Sequence, residues 1–157
     1  MNTNPVAIVT GGSRGVGAAT ATLLASKGWN VTVTCTSSIE DADSIVKECE
    51  TFGVEALAIS ADVSDDDACV NTAQQTLKKW GRIDALVNNA GTTKFVFDHG
   101  DLDGLDAEDF LHIYKVNVVG PFQMVRACKE SLLTSDNPSV VNISSIAGIK
   151  GVGSCLA

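Results

Sequence analysis

Gly11, Gly15 and Gly17 fall at spacings suited to one chemical task in the run Thr10-Gly11-Gly12-Ser13-Arg14-Gly15-Val16-Gly17. That task is holding a diphosphate. Gly11 lets the chain leave an extended segment in a tight turn. Gly15 lets backbone approach a phosphate with no Cβ between, and Gly17 lets the following helix pack closely on the strand. The amide N–H groups of the first helical turn, at the positive end of the helix dipole, then face the anionic oxygens. Further polar groups suited to a ligand follow at Asp62, Asn88-Asn89-Ala90-Gly91 and Ser144-Ser145. Read without a ligand, the same glycines are a structural turn.

For these groups to meet, strands and helices must alternate. Residues 6–9 form an apolar strand before the glycines, and 18–25 a helix after them, closed by Gly28. A β-branched strand at 31–35 precedes a helix at 39–52, capped by Ser38 and ended by Gly53. Strand 54–59 leads to a helix at 65–80, capped by Ser64, with Ala68, Val70, Ala73 and Leu77 on its apolar face. Strand 83–87 leads into a loop over 92–105. A long helical stretch at 106–133 is interrupted near Gly120-Pro121, strand 139–143 follows, and 144–157 trails off as glycine-rich loop. The fifth strand is apolar on consecutive residues, the pattern of a strand flanked on both edges. Alternation with short connections predicts an α/β fold: a doubly wound parallel sheet of the Rossmann type, in one dinucleotide-binding domain over 1–157. Ended here, the fifth strand would present an unpaired edge, so the sheet is expected to be truncated after it. The first strand is central, and the polar groups above collect at the carboxyl ends of the strands, where such sheets bind ligands.

The totals narrow the partners. A chain of 157 residues that is 45% hydrophobic is long enough for one core and is not disordered. Lys+Arg 11 against Asp+Glu 19 leaves −8, which argues against nucleic acid or an anionic membrane. The acidic clusters at 40–43, 62–67 and 98–109 read as solvated helix starts and loops. The 5 cysteines have no paired or metal-ligand spacing, so no metal site is expected and a reducing cytoplasm suits them. Residues 1–5 carry no basic patch or apolar run, so no export signal is expected. No apolar run approaches the ~20 residues that span a bilayer.

Five segments, in order and over essentially the whole chain, carry a family resemblance. They are the glycine loop, Asp62-Val63, Asn88-Asn89-Ala90-Gly91, Asn117 within Lys115-Val116-Asn117, and Asn142-Ile143-Ser144-Ser145. Together they resemble the classical short-chain dehydrogenase/reductase family, and most of all its beta-ketoacyl-acyl-carrier-protein-reductase-like members. The resemblance implies reversible hydride transfer between a nicotinamide cofactor and a small-molecule carbonyl or secondary alcohol. It also implies a homo-oligomer, tetramer or dimer. Gly11, Ser13, Arg14, Gly15, Val16 and Gly17 would hold the cofactor's phosphates. Asp62, beside Val63, would bond the adenine amino group, or be only a surface aspartate before a helix. Asn89, Ala90 and Gly91 would pack beside the adenosine ribose, with Asn88 equally a structural turn residue. Asn117 would hold a water of the proton relay from a helix interruption. Ser145, with Ser144 as its neighbour, would bond the substrate oxygen.

The cofactor's identity turns on the end of the second strand. NAD-preferring sites place an acid roughly 20 residues past the glycines. Here Cys35-Thr36-Ser37-Ser38 offers none. Thr36 and Ser37 can donate to a 2′-phosphate, and Arg14 resembles the cation that pairs with it in NADP-dependent members. NADP is therefore expected, with NAD kept as the alternative because Glu40 or Asp41 could reach back. The family's chemistry also needs a tyrosine and, one helical turn later, a lysine. At the family's spacing from Ser145, that tyrosine falls immediately after Ala157. The preferred reading is the N-terminal portion of a reductase, inactive alone. The alternatives are a short non-catalytic nucleotide-binding module and an assembly partner. Tyr114, the one tyrosine, is expected as a partly buried helix aromatic, and His99 and His112 are expected away from the ligand rim.

Overall fold

Short β-branched and apolar runs become strands here, and those at Val6–Val9, Asn30–Cys35 and Ala85–Asn88 are buried on both faces. The computed structural model describes residues 4–96, 98–150, 153–155 and 157. Residues 1–3 of the stretch read for an export signal lie outside it, as do Phe97 and residues 151, 152 and 156 of the trailing loop. The strands are β1 (Val6–Val9), β2 (Asn30–Cys35), β3 (Ala56–Ser60), β4 (Ala85–Asn88) and β5 (Ser139–Asn142). The helices are α1 (Gly15–Ser26), α2 (Ile39–Glu50), α3 (Asp66–Trp80), α4 (Ala107–Tyr114), α5 (Gly120–Thr134) and α6 (Ala147–Lys150). All strand pairs are parallel, in the order β3-β2-β1-β4-β5, with Val6 opposite Asn30 and Ala7 opposite Ala85. The first strand is central, as the alternation predicts.

Alternate residues of β1 and β4 serve two separate cores. Val9, Val31, Val33 and Val87 pack against Ala21 and Ala25 of α1 and Ala42 and Cys49 of α2. Ile8 and Leu86 face the other way, against Cys69 and Ala73 of α3 and Met124, Cys128 and Leu132 of α5. On this second face the Thr32 and Thr76 hydroxyls hydrogen-bond at 2.9 Å, satisfying two buried polar groups at once. Burial pushes the Cys69 thiol up to about 11 and Cys128 up to about 12, so both are inert packing groups at neutral pH. At the amino ends of the strands, buried Asp84 accepts from Val6 N (2.8 Å), Arg82 Nε (2.8 Å), Arg82 Nη2 (2.7 Å) and Ser135 Oγ (2.6 Å).

The acidic clusters do start helices and turns. Asp65, Asp101 and Asp106 each cap a first turn, and Asp106 with Asp109 forms a reciprocal capping box. The α3 cap is therefore Asp65 and not Ser64. Ser64 N is drawn instead to Asp62 Oδ1 at 2.9 Å in an Asx turn. The long helix is irregular just before the expected place. Lys115–Val119 forms a π-type turn between α4 and α5, and Pro121 sits in the first turn of α5, where its missing N–H does no harm. A turn at Leu102–Gly104 interrupts the acidic loop, and α6 stands where loop was expected. Among the described residues strand β5 is the last in the sheet, beside β4, and Val140 and Val141, on opposite faces, are 45% and 47% exposed. No helix among the described residues is long and apolar enough to cross a membrane.

Candidate cofactor cleft and active site

The glycine loop is locked in shape by a segment far away in sequence. Buried Thr10 accepts at Oγ1 from Asn89 N and Ala90 N, each at 3.0 Å. The Asn89 side chain donates back through Nδ2 to Thr10 O and Gly11 O, each at 2.9 Å. Gly11 N donates to Thr34 Oγ1 at 3.2 Å, and Gly12 N to Thr34 O at 2.9 Å. The loop is thus sewn to β2 on one side and to the end of β4 on the other. Thr10 had a visible signal, a hydroxyl at the strand end before the glycines, but its partners lie 79 and 80 residues on.

The three glycines are required for three reasons. Gly11 has φ +61, and a Cβ there would stand 2.9 Å from Ala90 Cα. Gly15 has φ +57 with open space around it, so only its left-handed backbone demands glycine. A Cβ on Gly17 would stand 2.4 Å from Gly11 O and 2.5 Å from Asn89 Nδ2. The close packing at Gly17 is therefore against the loop itself, and not against the strand. The α1 N-terminus also differs from its neighbours. Ser38, Asp65 and Asp106 cap α2, α3 and α4, each with acids in the first turn, whereas α1 has no side-chain cap and no acid there. An uncapped, acid-free helix start over a cradle that a Cβ would fill fits a diphosphate.

An open cleft of about 390 Å³ runs from this loop across the carboxyl ends of the strands. Gly11, Ser13, Arg14 and Val16 line one side, with Thr36 at the end of β2. Asp62 and Val63 after β3, and Asn89, Ala90 and Gly91 after β4, line the rest. Gly15, Gly17 and Ser37 lie in the adjoining backbone and do not line the cleft. Asp62 accepts at Oδ1 from Ser64 N at 2.9 Å. Glu40 and Asp41 sit in the first turn of α2 and do not reach the cleft. Ser38 accepts from Asp41 N at 3.3 Å, and its hydroxyl contacts Glu40 Oε2 at 3.4 Å. Thr92, Cys35, Val116 and His112 also line the cleft. His112 overturns the expectation that it lies off the rim: it precedes Val116 by one helical turn and shares its face. His99 instead contacts Gly153 O at 3.0 Å. Tyr114 is 58% exposed and outside the cleft lining, not partly buried as expected.

Asn117 and Ser145 are not part of the cleft lining; Asn117 bonds Thr92, which is. Asn117, in the π-type turn, accepts at Oδ1 from Thr92 N (2.8 Å) and donates from Nδ2 to Thr92 O (2.9 Å). This two-point clamp holds the Gly91-Thr92 backbone and leaves one Nδ2 hydrogen uncommitted. Lys94 pairs with Asp109 at 2.5 Å, tying the same loop to α4; each partner holds the other in its charged form, with Lys94 raised and Asp109 lowered. Ser145 stands just past β5, exposed, accepting at Oγ from Ala147 N at 3.2 Å. Its hydroxyl proton is free to be given to an acceptor.

Three comparisons bear on this arrangement. The profile of the short chain dehydrogenase family matches residues 5–157. The chain is 38% identical over 149 residues to a 3-oxoacyl-acyl-carrier-protein reductase of Synechocystis sp., covering 95% of this chain but 59% of that protein. Among solved structures, a metagenomic short-chain oxidoreductase in complex with NADP superposes with a TM-score of 0.85 at 34% identity, over 96% of this chain and 66% of that one. NAD+-bound xylitol dehydrogenase superposes with a TM-score of 0.86 at 29% identity, over 98% of this chain and 58% of that one.

Proposed function

This chain belongs to the short-chain dehydrogenase family, and on that premise we propose that it is the cofactor-holding part of an NADP-dependent carbonyl reductase. The observation carrying this reading is the shared cleft: an uncapped helix start, a guanidinium and two strand-end loops meet along it, one of those loops held at Thr92 by Asn117. A bound nicotinamide dinucleotide would supply the hydride that a carbonyl carbon accepts, while the carbonyl oxygen takes a proton.

The chain's own residues do the holding and orienting. The α1 amides and Gly11 face the diphosphate, with Ser13, Gly15, Val16 and Gly17 shaping its seat. Arg14 and Thr36, joined by Ser37, select a 2′-phosphate by charge-assisted hydrogen bonds. Asp62 and Val63 receive the base, and Asn89, Ala90 and Gly91 wall the ribose. Ser145 donates its free proton to the carbonyl oxygen and so draws charge onto it. Asn117 fixes the Gly91-Thr92 edge and offers its remaining Nδ2 hydrogen to a relay water. The resemblance assigns the final proton donor to a tyrosine beyond Ala157, so residues 1–157 bind the adenosine end and do not turn over alone. The substrate class favoured by the Synechocystis relative is a 3-oxoacyl thioester, and the working form is a homo-oligomer in the cytoplasm.

The test is a pair of cofactor titrations and rate measurements on the full-length protein with a 3-oxoacyl thioester. NADPH should bind at least about tenfold more tightly than NADH, a difference of one charge-assisted contact. Arg14→Ala should erase that preference and leave NADH binding as it was. Tighter binding of NADH by the unaltered protein would overturn the NADP assignment.

A further inference from the structure

We propose that His112 is the outer wall of the base slot, its imidazole stacked on the purine of the bound dinucleotide. This rests on the dinucleotide reading above and adds a residue that none of the motifs includes. The diphosphate seat at α1 and the ribose position beside Arg14 and Thr36 leave one direction for the base, towards Asp62 and Val63 after β3. There Val63 and Val116 are 4% and 8% exposed and belong to one apolar cluster, which makes a dry floor for a flat ring.

His112 stands over that floor. It precedes Val116 by four residues, so its side chain lies on the same helical face, one turn away. The far end of the helical pair fixes which way that turn leads. Ser131 of α5 accepts from Ile83 N at 2.7 Å, near the amino end of β4, so α5 runs down the sheet and α4 projects past the carboxyl ends. His112 is therefore farther out than Val116, on the solvent side of the slot. It carries the only ring among the described residues that line the cleft; Tyr114 and Phe110, on the same helix, are not part of that lining. A planar, polarisable group at that height covers the purine face that the valines leave open. Base–aromatic stacking is tolerant of edge chemistry and strong enough to register in affinity, and at an exposed rim it should amount to about five- to tenfold.

The experiment uses the full-length protein and three substitutions, His112→Ala, His112→Phe and His112→Gln. Affinities are measured for NADPH and for reduced nicotinamide mononucleotide, which has no purine. His112→Ala should weaken NADPH about five- to tenfold and leave the mononucleotide unchanged; Phe should restore NADPH binding and Gln should not. The inference is overturned if Ala binds NADPH as wild type does, if both ligands weaken equally, or if Gln restores as well as Phe. Failure of the parent reading looks different: the unaltered protein would bind no nicotinamide dinucleotide at all.

Discussion

Gly15 and Gly17 are two residues apart, yet substituting them should fail in different ways. At Gly17 a methyl group meets a backbone carbonyl and a bonded side-chain amide, neither of which can yield without opening the loop. Gly17→Ala should therefore cost about 1–3 kcal/mol, as overpacking does, and abolish measurable NADPH binding. Gly15→Ala meets open space and bears only the strain of a left-handed backbone, about 1–2 kcal/mol, so binding should weaken without vanishing. Thermal melts with parallel cofactor titrations separate the two. Both glycines were legible from spacing alone, but the reason at Gly17 was not, since the clashing amide belongs to Asn89. His112 was legible in principle: its four-residue offset from Val116 was on view. What hid it was the absence of any local sign that Val116 faces the cleft and not the core alone.

The α4–α5 pair shows what one irregular turn does for an element. The π-type turn at Lys115–Val119 brings Asn117 to the Thr92 backbone, while α5 stays packed through Gln123 Nε2 on Val63 O at 2.8 Å. Asn117→Ala removes both bonds to Thr92 and frees that edge of the cleft, where the proposed relay would run. In the full-length protein kcat should fall by roughly a hundredfold, within the usual range for a proton-relay group, while the Kd for NADPH stays within about twofold. An equal loss in both quantities would show that the clamp holds the cofactor and not the reacting end. The sequence signalled an interruption here, at Gly120-Pro121, because proline is the loudest local breaker. The real irregularity precedes it, since Pro121 fits a first turn and a π-type turn has no strong residue signature. The consecutive valines of β5 signal a strand made to be covered, but composition does not say which segment covers it.

At the scale of the molecule, Asp84 joins the amino ends of the sheet to the end of α5. Burial alone would raise its pKa, but the Arg82 guanidinium, the Ser135 hydroxyl and the Val6 amide together hold it below the usual carboxylate value. A carboxyl depressed on folding contributes stability that is complete above its unfolded pKa, about 3.9, and is lost as pH falls through the folded value. Asp84→Asn should thus be less stable than wild type by about 2 kcal/mol at pH 7. The gap should narrow only below about pH 4; a gap constant down to pH 3 in thermal melts would show that the charge contributes nothing. Sheet order was readable, because alternating strands and helices leave few topologies. Which distant polar groups meet across it was not, since no local pattern encodes a bond between residues 79 positions apart. That separation also governs biosynthesis. At roughly 5–20 residues per second, a ribosome exposes Thr10 and the glycines seconds before Asn89 and Ala90 arrive to clasp them. A nascent chain of the first 60 residues would carry the whole phosphate motif and still lack its shape, so capture of nucleotide dates the closing of β4 onto β1.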